Sequence, residues 1–207
     1  MRRGFATIGV VVLVALAAVA PAGARDYESS FGFGISVPDV WLVLTRGEVA
    51  ENADIFLETG ESGVLASVPS EMRRVVYERI QRGELEIFYR REGNSGSFID
   101  NVNLMLQPAR LPNTHEQLTG LCQLLPDEFS RVFGRPVLMD GCEMRDLVGR
   151  AALYLQFDGA IPGTTTLQYQ LQQSHDTTLV ITATSTNANL SRMLGEFEQI
   201  VASIRLR

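Results

Sequence analysis

The sequence predicts an α+β fold, with helices packed over a meandering antiparallel β-sheet. Three observations predict it. Apolar residues recur at helical spacing in separate stretches, most clearly Leu190, Leu194, Phe197, Val201 and Ile204. Elsewhere apolar residues alternate with polar or small ones, the period of two that a half-buried strand requires. Successive alternating segments are joined by short turn sequences, so chain neighbours pair antiparallel.

Taken in order, Phe31, Phe33, Ile35 and Val37 alternate with small residues and predict a strand ending at Pro38-Asp39. Trp41 to Leu44 is a second short apolar run. Gly47 to Glu58 carries Val49, Ala53, Ile55 and Phe56 in a helical pattern ended by Gly60. Ser70 reads as a helix N-cap, with Met72, Val75, Val76 and Ile80 on one face and Gly83 at the end. Leu85, Ile87 and Tyr89 then alternate with Glu86, Phe88 and Arg90. Gly93-Asn94-Ser95-Gly96 turns the chain, and Phe98 to Leu106 returns as the second strand of a hairpin.

Leu111 to Gly134 reads as helical, with Leu118, Leu121, Cys122 and Leu125 on one side and a break expected at Pro126. Phe129, Val132 and Phe133 continue the apolar face. Four strands follow, Val137 to Leu147, Ala151 to Phe157, Thr165 to Gln172 and Thr178 to Thr184, each bounded by turn residues. The last helix is capped by Asn189 or Ser191 and places Glu196 on its solvent face.

The first 24 residues read differently. Arg2 and Arg3 precede an uncharged apolar run from Phe5 to Ala20, and small residues follow through Ala22-Gly23-Ala24. That is the pattern of a secretory signal peptide cleaved after Ala24, leaving residues 25–207 as a single domain. The run is short for a membrane span, although an uncleaved N-terminal anchor is the rival reading. With the segment removed, the expected product is periplasmic or secreted, with no stable membrane span.

The 207-residue chain is 45% hydrophobic with a net charge of −6, a globular composition whose acidic balance argues against a nucleic-acid partner. It contains no lysine, which excludes Schiff-base chemistry. Cys122 and Cys142 are the only cysteines. In an exported chain such a pair reads as a structural disulfide, and the C-x-x-C spacing of a redox pair is absent. Neither histidine, His115 or His175, lies in a metal-ligating spacing, so no metal or cofactor is expected. Ser174-His175-Asp176 has the composition of a catalytic triad, but neighbours on a turn are not expected to point at one another. Asp140, Glu143, Asp146 and Asp158 fit no calcium loop and read as solvated surface.

Four residues stand out as binding candidates. Asn101 and Asn103 share one strand face and Asp100 flanks them, either tethering loops or presenting a polar patch to a ligand. Trp41, the only tryptophan, either fills the core or serves as an interface anchor. Gln168, Gln170 and Gln172 form a polar face opposite Leu167, Tyr169 and Leu171, an ordinary half-exposed sheet or a rigid ladder for a partner.

A strand ending in Pro38-Asp39-Val40-Trp41, the strand Phe98 to Leu104, hairpins spanning Gly149 to Phe157 and Leu167 to Ala183, and a closing helix Phe197 to Leu206 resemble the PsbP/Mog superfamily, including its DcrB-like exported bacterial members. The resemblance implies an antiparallel sheet between helices and a non-catalytic, partner-binding habit. The function expected from it is that of an exported, non-enzymatic protein that binds a protein partner in the cell envelope. A secretion-associated chaperone using a groove between sheet and helix is the alternative, and a small-ligand enzyme or hydrolase a more distant one.

Overall fold

The computed structural model describes residues 23–51, 65, 68–94 and 98–206. The signal-peptide reading falls almost wholly outside these residues, as do the second half of the helix expected after Gly47 and the middle of the Gly93 turn. The strands are β1 (Ala24–Glu28), β2 (Phe33–Pro38), β3 (Trp41–Leu44), β4 (Glu86–Arg90), β5 (Asn101–Gln107), β6 (Met139–Leu147), β7 (Arg150–Asp158), β8 (Thr164–Ser174), β9 (Thr177–Thr186) and β10 (Arg205–Leu206). The helices are α1 (Arg46–Glu51), α2 (Ser70–Gln81), α3 (His115–Phe133) and α4 (Leu190–Ala202).

Seven strands form one antiparallel sheet in the order β3-β4-β5-β9-β8-β7-β6, and β1-β2-β10 form a small second sheet. One face of the large sheet packs Phe88, Val102, Leu104, Tyr154, Leu167, Tyr169 and Ile181 against α4 and the small sheet. The opposite face carries two separate apolar clusters. One lies at the β3-β4 end around Leu42, Ile87, Tyr89 and Ile80. The other lies at the β7 end, where α3 covers Leu153, Leu155 and Phe157. The result is a sheet sandwiched by helices, as expected.

Being covered on both sides, β4 buries all five of its residues. Its polar ends are accordingly paired. Glu86 accepts hydrogen bonds from Ser29 Oγ at 2.8 Å and from the Ser30 backbone N–H at 2.7 Å. Burial nevertheless pushes the Glu86 carboxyl above its ordinary range, opposed by those serine donors. A carboxyl with a raised folded-state pKa binds a proton more readily folded than unfolded. The stability it contributes is therefore present at acid pH and is lost as pH rises from the ordinary carboxylate value through the raised one. Urea midpoints of wild type and Glu86→Gln should thus diverge with pH, wild type losing ground to the variant as pH is raised from about 4 toward neutrality. A constant difference would mean that Glu86 does not titrate as its burial requires.

Several elements depart from the sequence reading for identifiable reasons. α3 runs unbroken through Pro126, because Leu118, Leu121 and Leu125 before it and Phe129 and Phe133 after it pack on one continuous seam. That packing outweighs the single hydrogen bond proline cannot make. The helix stops where expected, at Gly134 with φ +67°, a left-handed conformation natural to glycine. α2 starts after Pro69 with no side-chain cap, and Ser70 is its first residue rather than its cap. Val76, Tyr77 and Ile80 form its inward side, while Met72 and Val75 are exposed. α4 ends at Ala202; Ile204 remains buried after the helix, and Arg205 and Leu206 pair with Gly34 and Phe33 as a strand.

Glu196 is also not a solvated residue. Arg90 donates to it through Nε at 2.9 Å and Nη2 at 3.0 Å, and the Trp41 indole N–H donates at 3.2 Å. Helical periodicity marks the angle of a residue on its own helix and carries no information about a buried arginine arriving from β4.

Candidate functional site

α3 covers only one end of the outer sheet face. It lies over β6 and β7, held at its middle by the Cys122–Cys142 disulfide, whose Cα atoms are 5.8 Å apart. Beyond β7 the outward residues of β8, β9 and β5 change from apolar to polar. Thr166, Gln168 and Gln170 on β8, Thr182 and Thr184 on β9, and Asn101 and Asn103 on β5 make a polar strip between the two apolar clusters. The register sets these side chains abreast, Gln168 opposite Thr182 and Asn101 opposite Thr184.

Their amides are ordered by one another. Gln170 Nε2 donates to Gln168 Oε1 at 2.7 Å, and Gln168 Nε2 donates to Thr182 Oγ1 at 2.9 Å. Asn103 Nδ2 donates to Asn101 Oδ1 at 3.0 Å, and Asn101 Nδ2 to the Ile99 carbonyl at 2.9 Å. Gln172, at the end of the ladder, tethers the loop after β5 through the Leu111 N–H and the Ala109 carbonyl.

Where this strip meets α3 lies a groove of about 460 Å³. Its floor is Asn101, Gln168, Thr166, Thr182 and Thr184, and its walls are Phe98, Phe129, Val132, Phe133, Phe157 and Ile161. Val132 is 71% exposed and Ile161 55% exposed. Among the described residues lining the groove, none is titratable. The site can therefore take apolar side chains against its walls and hydrogen-bond a chain on its floor, and its described residues include no general acid, base or charged nucleophile.

A second crevice, about 780 Å³, opens at the other end of α3 and is lined by Arg110, His115 and His175 among others. Its charged groups are engaged with each other. Arg110 donates to Asp176 Oδ1 at 2.9 Å through Nε, and His175 Nδ1 lies 2.8 Å from the same oxygen. His175 and Asp176 thus do touch, contrary to the sequence expectation, but on an exposed turn where Arg110 contacts both. Of the acidic residues read as solvated, Glu143 pairs with Arg145 and Asp146 accepts the Gly149 N–H. No cluster of metal-ligating side chains occurs among the described residues.

The residues singled out from sequence divide between interior and groove. Trp41 is buried in the main core with its indole N–H on Glu196. Asp100 is fully buried, accepting from Ser185 Oγ at 2.8 Å and Asn189 Nδ2 at 3.1 Å, which fastens the start of α4 to β5. Asn101 lines the groove, and Asn103 supports it through their amide pair. Reading by sequence passed over Val132 and Ile161 as groove walls. Val132 was legible as part of an apolar helix face; its exposure follows from α3 lying off-centre over the sheet.

No protein-family model matches the chain, and no curated protein matches it. Solved structures do. The cyanobacterial PsbP (CyanoP) of Synechocystis sp. PCC 6803 matches over 94% of this chain and 99% of its own, with 12% identity and a TM-score of 0.52. The fold is PsbP/Mog-like. The Ran-binding protein Mog1p of Saccharomyces cerevisiae is similar at 8% identity and a TM-score of 0.48, covering 89% of this chain and 95% of that one. LpqN of Mycobacterium tuberculosis, involved in cell envelope biogenesis, is similar at 12% identity and a TM-score of 0.44, covering 91% and 87%. The groove lies on the sheet face away from α4 and the small sheet.

Proposed function

We propose that this chain is an exported, non-enzymatic protein of the cell envelope that binds a protein partner, and that the partner lays an extended apolar segment in the groove beside α3. The observation that carries the reading is the groove's composition: exposed Val132 and Ile161 with four phenylalanines, over a floor of ordered amides and hydroxyls. An apolar patch rimmed by polar groups marks a protein-interaction surface, and ordered amides and hydroxyls suit main-chain hydrogen bonding to an extended peptide. The lack of titratable groups among the described lining residues supports binding over catalysis. Export is supported by the pattern of residues 1–24 and by the disulfide, which persists in oxidising compartments.

Photo-cross-linking in the native cell tests both parts. A photoreactive side chain at position 132 or 161 should capture one discrete partner in the envelope fraction, whereas the same group at exposed Gln199, on the opposite side of the sheet, should not. This protein, recovered from the same fraction, should itself begin near Arg25 by intact mass. Capture of many unrelated unfolded clients would instead identify the chaperone. Equal capture from position 199, or full-length chain in the cytoplasm, would contradict the proposal.

A further inference from the structure

The large sheet ends in β6, which pairs with β7 on one side and with no other described strand on the other. The β6-β7 turn is the two-residue loop Val148-Gly149, with φ +50° and +77°, the geometry of a type I′ hairpin. In such a hairpin the flanking residues Leu147 and Arg150 exchange main-chain hydrogen bonds. Counting back by two, Arg145 and Glu143 also bond to β7, which leaves the N–H and C=O groups of Asp146, Met144 and Cys142 pointing outward. The straight run is bounded by that turn after Leu147 and by an irregularity between Met139 and Gly141. The interval Gly141 to Leu147 is centred on Met144.

Long exposed edges of this kind template pairing with another strand unless they are blocked. The charges on this edge do not block it in every register. We propose that β6 is the self-pairing edge of a twofold dimer, in which two copies join antiparallel about Met144 and merge their sheets into one. In that register Met144 pairs with its own copy and Cys142 with Asp146, so every outward main-chain group is matched. Glu143 of each copy lies directly opposite Arg145 of the other, in the closer, non-hydrogen-bonded type of pair. Sliding by one pairing step either way opposes Glu143 to Glu143 or Arg145 to Arg145, so charge excludes the neighbouring registers. The two side chains are accessible for this, being 55% and 35% exposed. Arg145 is already held flat over Tyr154, 3.4 Å from the ring centroid, so it loses little freedom on pairing. The occupant is a second copy of this chain because the edge is complementary to itself, which a twofold interface demands.

An edge-only contact is small, so the dimer should be concentration-dependent. Sedimentation of wild type over a dilution series up to about 1 mM should show a species of twice the chain mass. Glu143→Arg, which leaves Arg145 and its ring contact in place, should shift the equilibrium toward monomer by tenfold or more, roughly 1.4 kcal/mol. Arg145→Glu alone should do the same. An equimolar mixture of the two variants should form a one-to-one heterodimer, since one edge then carries two arginines and the other two carboxylates. Should Arg145→Glu fail to fold without its ring contact, Glu143→Arg, which keeps that contact, carries the charge test alone. A wild type that stays monomeric throughout would overturn the proposal, as would a dimer that Glu143→Arg leaves intact.

Discussion

Truncating Phe197 to Ala is expected to cost about 3–5 kcal/mol, the range for emptying a fully buried aromatic site. Phe197 has no exposed surface and lies in the main core, with its ring centroid 5.7 Å from that of Tyr169, which in turn stands 5.0 Å from Tyr154. The cavity would open between α4 and the sheet, flanked by Met193, Ile200 and Val201, which are themselves fully packed. A domain of ordinary stability has only about 5–15 kcal/mol in hand, so the variant should be marginal at elevated temperature. Glu196→Ala, one residue away, is expected to cost about 1–3 kcal/mol by stranding Arg90 and the Trp41 indole N–H. Urea midpoints of both variants check this. Equal shifts, or none for Phe197→Ala, would mean that α4 does not anchor the sandwich.

Loss of the Cys122–Cys142 bond is expected to have the next largest effect, about 3 kcal/mol in the chain-entropy account of a loop of this size. At roughly 2–4 °C per kcal/mol, the double Cys122→Ser/Cys142→Ser variant should melt about 6–12 °C lower. Its position sharpens the expectation. Pro126 has no N–H, so the carbonyl of Cys122 lacks its helical donor four residues on, and the disulfide clamps α3 to β6 at that weakened turn. Hydrogen exchange in the reduced protein should therefore rise most in α3, including the Phe129 to Phe133 stretch that walls the groove. Thiol titration of unreduced, denatured protein should find no free thiol. Two free thiols, or an unchanged melting temperature in the double variant, would remove the disulfide from the account.

The strands of the large sheet were readable because their alternation is set by neighbours close in sequence. The Val137 to Leu147, Ala151 to Phe157, Thr165 to Gln172 and Thr178 to Thr184 segments coincide with β6 to β9 within a residue or two at most ends. What local pattern cannot carry is contact at a distance. Glu86, Arg90 and Glu196 read as ordinary polar positions, yet Glu86 meets serines from the loop after β1, and Arg90 meets α4 across the core. Pro126 reads as a break because the seam that holds both halves of α3 lies on another part of the chain. β10 is only two residues long, too short to alternate, and exists because β2 is there to pair with it. For the site, Asn101 and the glutamine ladder were visible as polar faces of strands. The place of the groove was not, because it arises from where α3 stops covering the sheet.

The most direct test of the groove as a partner-binding site is the affinity of the cross-linked partner segment, made as a peptide and titrated calorimetrically against three proteins. Wild type and Gln199→Asp should bind it equally. Val132→Asp, which places a carboxylate on an exposed groove wall without disturbing the core, should weaken binding by tenfold or more, roughly 1.4 kcal/mol. Undiminished binding by a folded Val132→Asp protein would contradict the account, because the partner would then be held somewhere other than this groove.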